Sequence, residues 1–201
     1  METLYGIITE TLKNWSGEIL GCPLSVRLSK AALLSSPDLV REDAENAAFL
    51  LNAGARSCTI FGAGLLKSVT EKNGWILFDL DSAAFDAYAH SLPEVRPGAV
   101  TKDPGASYVD YRMDMLLRHP DAPVPDREPV KRAVLTASCA CARGKWTLQD
   151  ERTVLTMTHG LVSFDRLKTE QVCSRVAKII LFERAAMRER GTARSGGSPK
   201  N

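Results

Sequence analysis

The sequence is short of several things, and each shortage removes a class of function. No run approaches the ~20 consecutive apolar residues that a membrane-spanning helix needs, so no membrane span is expected. The stretch METLYGIITETLKNW has no basic segment leading into an apolar one and does not read as a signal peptide. Net charge is only +2, from 26 Lys and Arg against 24 Asp and Glu. A dedicated nucleic-acid protein more often carries a strong basic excess, because phosphate neutralisation dominates its affinity. The charge balance therefore gives no argument of its own for RNA. Five cysteines, an odd number without dense spacing, do not form a secreted disulfide framework and read as reduced thiols of a cytoplasmic protein. His90, His119 and His159 are scattered, and no Ser or Cys sits in a recognisable nucleophile turn. No catalytic residue, metal or cofactor is expected.

What is present is ordinary globular material. The 201 residues are 44% hydrophobic and 25% charged. A chain of that length buries roughly 70% of the surface its unfolded form exposes, and needs no staple to fold. Leu4, Ile7, Ile8, Leu12 and Trp15 recur at helical spacing and predict a helix over 2–15. Residues 24–35 follow a Gly-Cys-Pro turn and fit neither period. A second helix is expected from Asp38, with Ala44, Ala47, Ala48, Leu50 and Leu51 on its apolar face until Gly54. Leu65–Glu71 and Trp75–Asp81 then flank Asn73-Gly74, the strongest short-range hairpin signal. Ser82 is the expected cap of a further helix.

Pro93, Pro97, Gly98 and Pro104 break the pattern, and beyond them every segment looks helical: 106–118, 130–143, 147–159 and 165–190. The reading is α+β, mainly α. An N-terminal unit of helices and a β-hairpin spans 1–92, a Pro/Gly linker 93–104, a bundle of four or five helices 105–190, and a disordered tail 191–201.

Several short patterns invite chemistry and fail on spacing. Cys139 and Cys141 lie about 200° apart on a helix, since each residue advances ~100°, and do not share one ligand. Phe61-Gly62-Ala63-Gly64 looks like the start of a dinucleotide-binding turn, but Lys67 stands where the third glycine is needed and a hairpin follows. Arg27-Leu28-Ser29-Lys30 resembles a phosphate-contacting basic loop, although such a cluster is common by chance and reads as a solvated turn. Between 165 and 201, nine Lys and Arg stand against four acids, an excess of five. That segment either follows an RNA backbone or simply favours its own helix dipole with a solvating tail.

Two segments together carry a resemblance. Glu45-Asn46-Ala47-Ala48-Phe49-Leu50-Leu51 and Asn73-Gly74-Trp75-Ile76-Leu77-Phe78-Asp79-Leu80 resemble the N-terminal additional domain of arginyl-tRNA synthetases. There an A-x-N-x-A helix precedes a P-G-F-I-N-F-x-L strand and another helix. Tyr108-Val109-Asp110-Tyr111 is similar to the Y-V-Q-Y start of the same family's helical anticodon-binding (DALR) domain. In the family a catalytic domain separates these parts; here the linker joins them, and no H-I-G-H or convincing K-M-S-K-S element is present. Arg112-Met113-Asp114-Met115 also replaces the family's A-H-A-R.

The resemblance implies a non-catalytic module binding structured RNA such as a tRNA anticodon arm. It implies Tyr108 and Tyr111 near unpaired bases, Arg112 and Arg118 on the same charged surface, and Arg184, Arg188 and Arg190 as backbone contacts. At least one tyrosine is expected in the core instead. The alternative is a protein-interaction or regulatory module with no RNA contact, which the near-neutral charge and the replaced A-H-A-R favour. An unrecognised enzyme would require Cys, His and acid side chains to converge in a pocket.

Overall fold

Helix α1 (Leu4–Leu20) buries Leu4, Ile8, Leu12 and Trp15 along one stripe and runs five residues past its expected end. It stops at Gly21, whose φ of 74° admits the left-handed turn that lets its amide reach the Gly17 carbonyl. The computed structural model describes residues 2–29, 33–35, 39–96, 107–118, 121–159 and 173–195. Two of the first-turn amides of α1 are satisfied from distant parts of the chain and a third by its own cap. The Leu4 amide donates to Glu183 Oε1 at 2.6 Å, the Tyr5 amide to Ser138 Oγ at 2.7 Å, and the Gly6 amide to Thr3 Oγ1 at 3.2 Å. A helix end can be buried only when such partners exist.

The stretch that fitted neither period contributes two three-residue strands, β1 (Val26–Leu28) and β2 (Leu33–Ser35). Helix α2 (Arg41–Gly54) follows, with Ala44, Ala47, Ala48 and Leu51 buried as expected, while Leu50, also expected on that face, lies one residue off the stripe and is exposed. It begins after Val40 without a side-chain cap; the expected start at 36–38 lies outside the described residues. A tight hairpin, β3 (Thr59–Ile60) and β4 (Ala63–Gly64), accounts for the dinucleotide-like glycines: Phe61 and Gly62 form its turn at φ 50° and 77°.

The hairpin read from Asn73-Gly74 is present as β5 (Leu66–Lys72) and β6 (Trp75–Leu80), closed by the Lys72–Trp75 pair. Asn73 at φ 55° and Gly74 at φ 81° give the doubly left-handed turn that matches strand twist. The sheet is antiparallel in the order β1-β2-β6-β5, so the short strands extend the hairpin into a four-stranded sheet. Helix α3 (Ser82–Ser91) is capped one residue earlier than expected, by Asp81, whose carboxylate accepts from the Ala83 amide at 2.9 Å.

Beyond the linker come α4 (Tyr108–Leu116), α5 (Glu128–Ala142), α6 (Leu148–His159) and α7 (Ser174–Ser195). The fold is thus α+β and mainly α, with these four helices following the sheet. Residues 97–106, and the expected start of the last helix at 165, fall outside the described residues. Helix α7 continues through Ser195, five residues into the segment expected to be tail.

The apolar core does not stop at the linker. One cluster runs from Leu4 and Phe78 through Met113 and Val134 to Ile180, with α1 packed on α5 and α3 on α7. Buried polar groups tie the same halves together. Lys131 of α5 is almost wholly enclosed, donates to the Leu80 carbonyl at 2.7 Å, and meets Asp79 at 3.2 Å and Glu128 at 2.5 Å. Asp126 meets both Lys131 and Lys67.

Candidate functional site

The site begins with the local chemistry of one helix start. Ser107 caps α4 by accepting from the Asp110 amide, and Asp110 reaches back to the Ser107 amide, a reciprocal box legible as S-x-x-D. What the sequence hides is where that box sits. Asp110 is fully buried and receives Arg184 Nε at 2.7 Å and Nη2 at 3.2 Å. Arg188 donates to the same carboxylate, and Arg184 Nη2 also reaches Ser107 Oγ at 2.5 Å. The Arg184 guanidinium lies over the Trp146 ring, 3.8 Å from its centroid. Burial alone raises the Asp110 carboxyl, but Arg184 and then Arg188 outweigh it and hold it below its ordinary value.

This cluster fixes the N-terminus of α4 against α7 and turns the helix so that Val109, Asp110, Arg112, Met113 and Leu116 face inward. Tyr108 and Tyr111 therefore face outward, 56% and 48% exposed, including the one expected in the core. Their rings stack, with centroids 6.2 Å apart and planes 22° from parallel. The i, i+3, i+7, i+10 spacing of Tyr108, Tyr111, Met115 and Arg118 places these four along one side of the helix and the turn that ends it. Arg118 is exposed there. It lines a hollow of about 460 Å³ with His90, Arg96, Arg175 and Lys178, and Glu94 is the acid in its wall.

The expected set of RNA-contacting cations is divided by the structure. Arg112 is 6% exposed and its guanidinium lies 6.0 Å from the Tyr108 ring centroid, so it supports the tyrosine rather than presenting a charge. Arg184 is 3% exposed and committed to Asp110, so it does not serve as a backbone contact. Arg188 shares that carboxylate but keeps a side chain 37% exposed. Arg190 is exposed, with Nε donating to the Ala186 carbonyl at 3.2 Å. Tyr108, Tyr111, Arg118, Arg188 and Arg190 thus remain on the surface.

Among the described residues, further cations of the last segment are engaged inside the fold. Arg175 pairs with Asp86 at 2.9 Å, and Lys178 donates to the Ala89 and Leu92 carbonyls at the end of α3. Burial lowers the Lys178 ammonium from its ordinary value. Helix-terminal carbonyls are a natural partner for such a cation.

A second buried polar node was also missed by sequence reasoning. Glu183 Oε1 accepts from the Leu4 amide and, at 2.8 Å, from the Tyr88 hydroxyl, joining α1, α3 and α7. Burial pushes the Glu183 carboxyl up, with the Leu4 amide opposing, and pushes the Tyr88 hydroxyl up as well. Its partners lie 95 and 179 positions away, beyond any local pattern. Cys139 and Cys141 share α5, and burial pushes the Cys141 thiol up to about 12, which makes it a poor nucleophile. Among the described residues no group of three His, Cys, Asp or Glu side chains is placed to hold a metal, and no helix is long and apolar enough to cross a membrane.

No family model, curated protein or solved structure matches the chain.

Proposed function

We propose that the chain is a non-catalytic RNA-binding module, similar in plan to the anticodon-binding part of arginyl-tRNA synthetases. Tyr108 and Tyr111 stack on unpaired bases of a structured RNA such as a tRNA anticodon arm. Arg118, Arg188 and Arg190 neutralise flanking phosphates. Arg112 and Arg184 act from beneath, positioning the tyrosines. The observation that carries this reading is the exposed, stacked tyrosine pair on a helix start pinned by a buried carboxylate. Two large rings left half in water cost apolar burial that a core position would gain. Held rigid, they offer a platform for base stacking worth about 1–3 kcal/mol per base. Sequence-specific RNA recognition targets unpaired loops of this kind.

The test is a titration of the whole chain with bulk tRNA at several salt concentrations. Micromolar binding that weakens with salt, by roughly 0.7 log units per tenfold salt for each neutralised phosphate, supports the reading. Absence of binding at low salt removes it.

A second reading, a protein-interaction module, is favoured by a different surface. Val40, Phe49 and Leu50 at α2 are 69%, 75% and 50% exposed. Their flank is acidic, with Glu42, Asp43 and Glu45 on the same helix. Co-purification of a protein partner that Phe49→Asp abolishes, with no tRNA binding by the intact chain, selects this second reading.

A further inference from the structure

We propose that a separate hollow, between the β1-β2 arm and helices α5 and α6, is a binding site for a phosphate group. The hollow measures about 430 Å³ and is lined by Arg27, Leu28, Ser29, Leu34, Arg132, Thr136 and Thr153. It draws on both sides of the linker. Arg27 comes from β1, Arg132 and Thr136 from successive turns of α5, and Thr153 from α6.

Its chemistry is that of an anion receptor. Two arginines line the space, and among the described residues its wall contains no carboxylate. Three cations elsewhere in the fold meet acids: Lys131 meets Asp79 and Glu128, Arg175 meets Asp86, and Arg184 meets Asp110, whereas Lys178 is held by the Ala89 and Leu92 carbonyls. Among the described residues neither Arg27 nor Arg132 makes an ion pair, although Arg132 is half-buried. Two like charges lining one hollow repel unless an anion lies between them. Arg27 is not free to swing away at no cost, because its guanidinium lies over the Trp75 ring, 4.4 Å from the centroid.

The donor set selects phosphate. Guanidiniums from two walls, one on the sheet and one on α5, need acceptor oxygens pointing in more than one direction, as a tetrahedral oxyanion supplies. The Thr136 hydroxyl adds a neutral donor beside Arg132, one helical turn away. The Thr153 hydroxyl already donates to the Gln149 carbonyl at 2.8 Å and shapes the wall instead. The basic cluster Arg27-Leu28-Ser29 therefore does more than solvate a turn. The phosphate can belong to an RNA backbone or arrive free. The site rests on its own geometry and not on the tyrosine pair.

The experiment is a titration of the full chain, labelled with nitrogen-15, with inorganic phosphate at low salt, following the arginine Nε–Hε signals. Saturable shifts at Arg27 and Arg132, together with the Thr136 amide, are expected, and sodium chloride at equal ionic strength should not reproduce them. The double variant Arg27→Ala/Arg132→Ala should weaken the apparent affinity about tenfold or more, and Thr136→Val should weaken it less. Shifts that never saturate, or a Thr136 amide shift that keeps its wild-type affinity in the double variant, overturn the proposal. tRNA then distinguishes the sources. Movement of the same signals, competed by phosphate, assigns the site to an RNA backbone; saturation by phosphate with these signals unmoved by tRNA assigns it to a free phosphate. Loss of tRNA binding in Tyr108→Ala/Tyr111→Ala with phosphate shifts intact separates this site from the tyrosine platform.

Discussion

Asp110 and Arg184 meet at 2.7 Å with side chains 1% and 4% exposed, joining the first turn of α4 to the middle of α7 across 74 residues of sequence. The pair is the hinge of the site, because the rotation of α4 that it fixes is what turns Tyr108 and Tyr111 into solvent. Removing Arg184 leaves the buried Asp110 carboxylate with the partly exposed Arg188 as its remaining counter-charge. Arg184→Met alone is expected to cost up to about 3 kcal/mol, below the penalty of a wholly unpaired buried charge, and adding Asp110→Asn should recover part of that loss. Urea melts of the two singles and the double check this. A double variant no more stable than Arg184→Met would mean that the buried charge is not what matters.

The two buried carboxylates give stability opposite dependences on pH. Asp110 is held below its unfolded value of 3.8, so its contribution is present above pH 3.8 and is lost as pH falls through the lower folded value. Glu183 is held above its unfolded value of 4.5, so stability linked to it falls as pH rises from 4.5 through the higher folded value. Glu183→Gln keeps an acceptor for the Leu4 amide and Tyr88 hydroxyl without the charge. Its melting temperature should lose the Glu183-linked decline above pH 4.5 and exceed wild type near pH 7. Glu183→Ala orphans both donors and should cost about 2–4 kcal/mol near pH 4, less as pH rises and wild type loses its Glu183-linked stability. Thermal melts from pH 3 to 8 distinguish these outcomes; equal pH slopes for Gln and wild type contradict the assignment.

Gly74 anchors the hairpin from which the sheet is built. Its φ of 81° is left-handed, and its amide donates to Glu71 Oε1 at 2.5 Å. Gly74→Ala should cost about 1–2 kcal/mol through backbone strain alone, since no atom lies near the added methyl. Gly64 is not left-handed and has equal space around it, so Gly64→Ala is the control and should cost less.

The sequence makes legible what local chemistry decides. Asn73-Gly74 dictates a turn, and the hairpin follows; the apolar stripes of α1 and α2 name their buried faces. It does not reveal β1 and β2, because three residues are too few to show a period and their order comes from pairing, β2 with β6 and β1 with β2. The tyrosines were harder for a different reason. Aromatics at helical spacing ordinarily mark a core face, but here an aspartate and Arg112 occupy that face, paired or packed with groups from α7 and the helix start. Arg184 looked like a surface cation for the same reason: its carboxylate is invisible at a separation of 74 residues.

The most direct measurement compares tRNA binding by the intact chain and by Tyr108→Ala/Tyr111→Ala, with unfolding melts of both. The tyrosines are exposed, so the melts should agree within about 0.5 kcal/mol. The account predicts RNA affinity at least about fivefold weaker for the double variant, as expected from loss of one stacked base or more. Equal affinity at every salt concentration would contradict it, and with it the role given to the tyrosine pair.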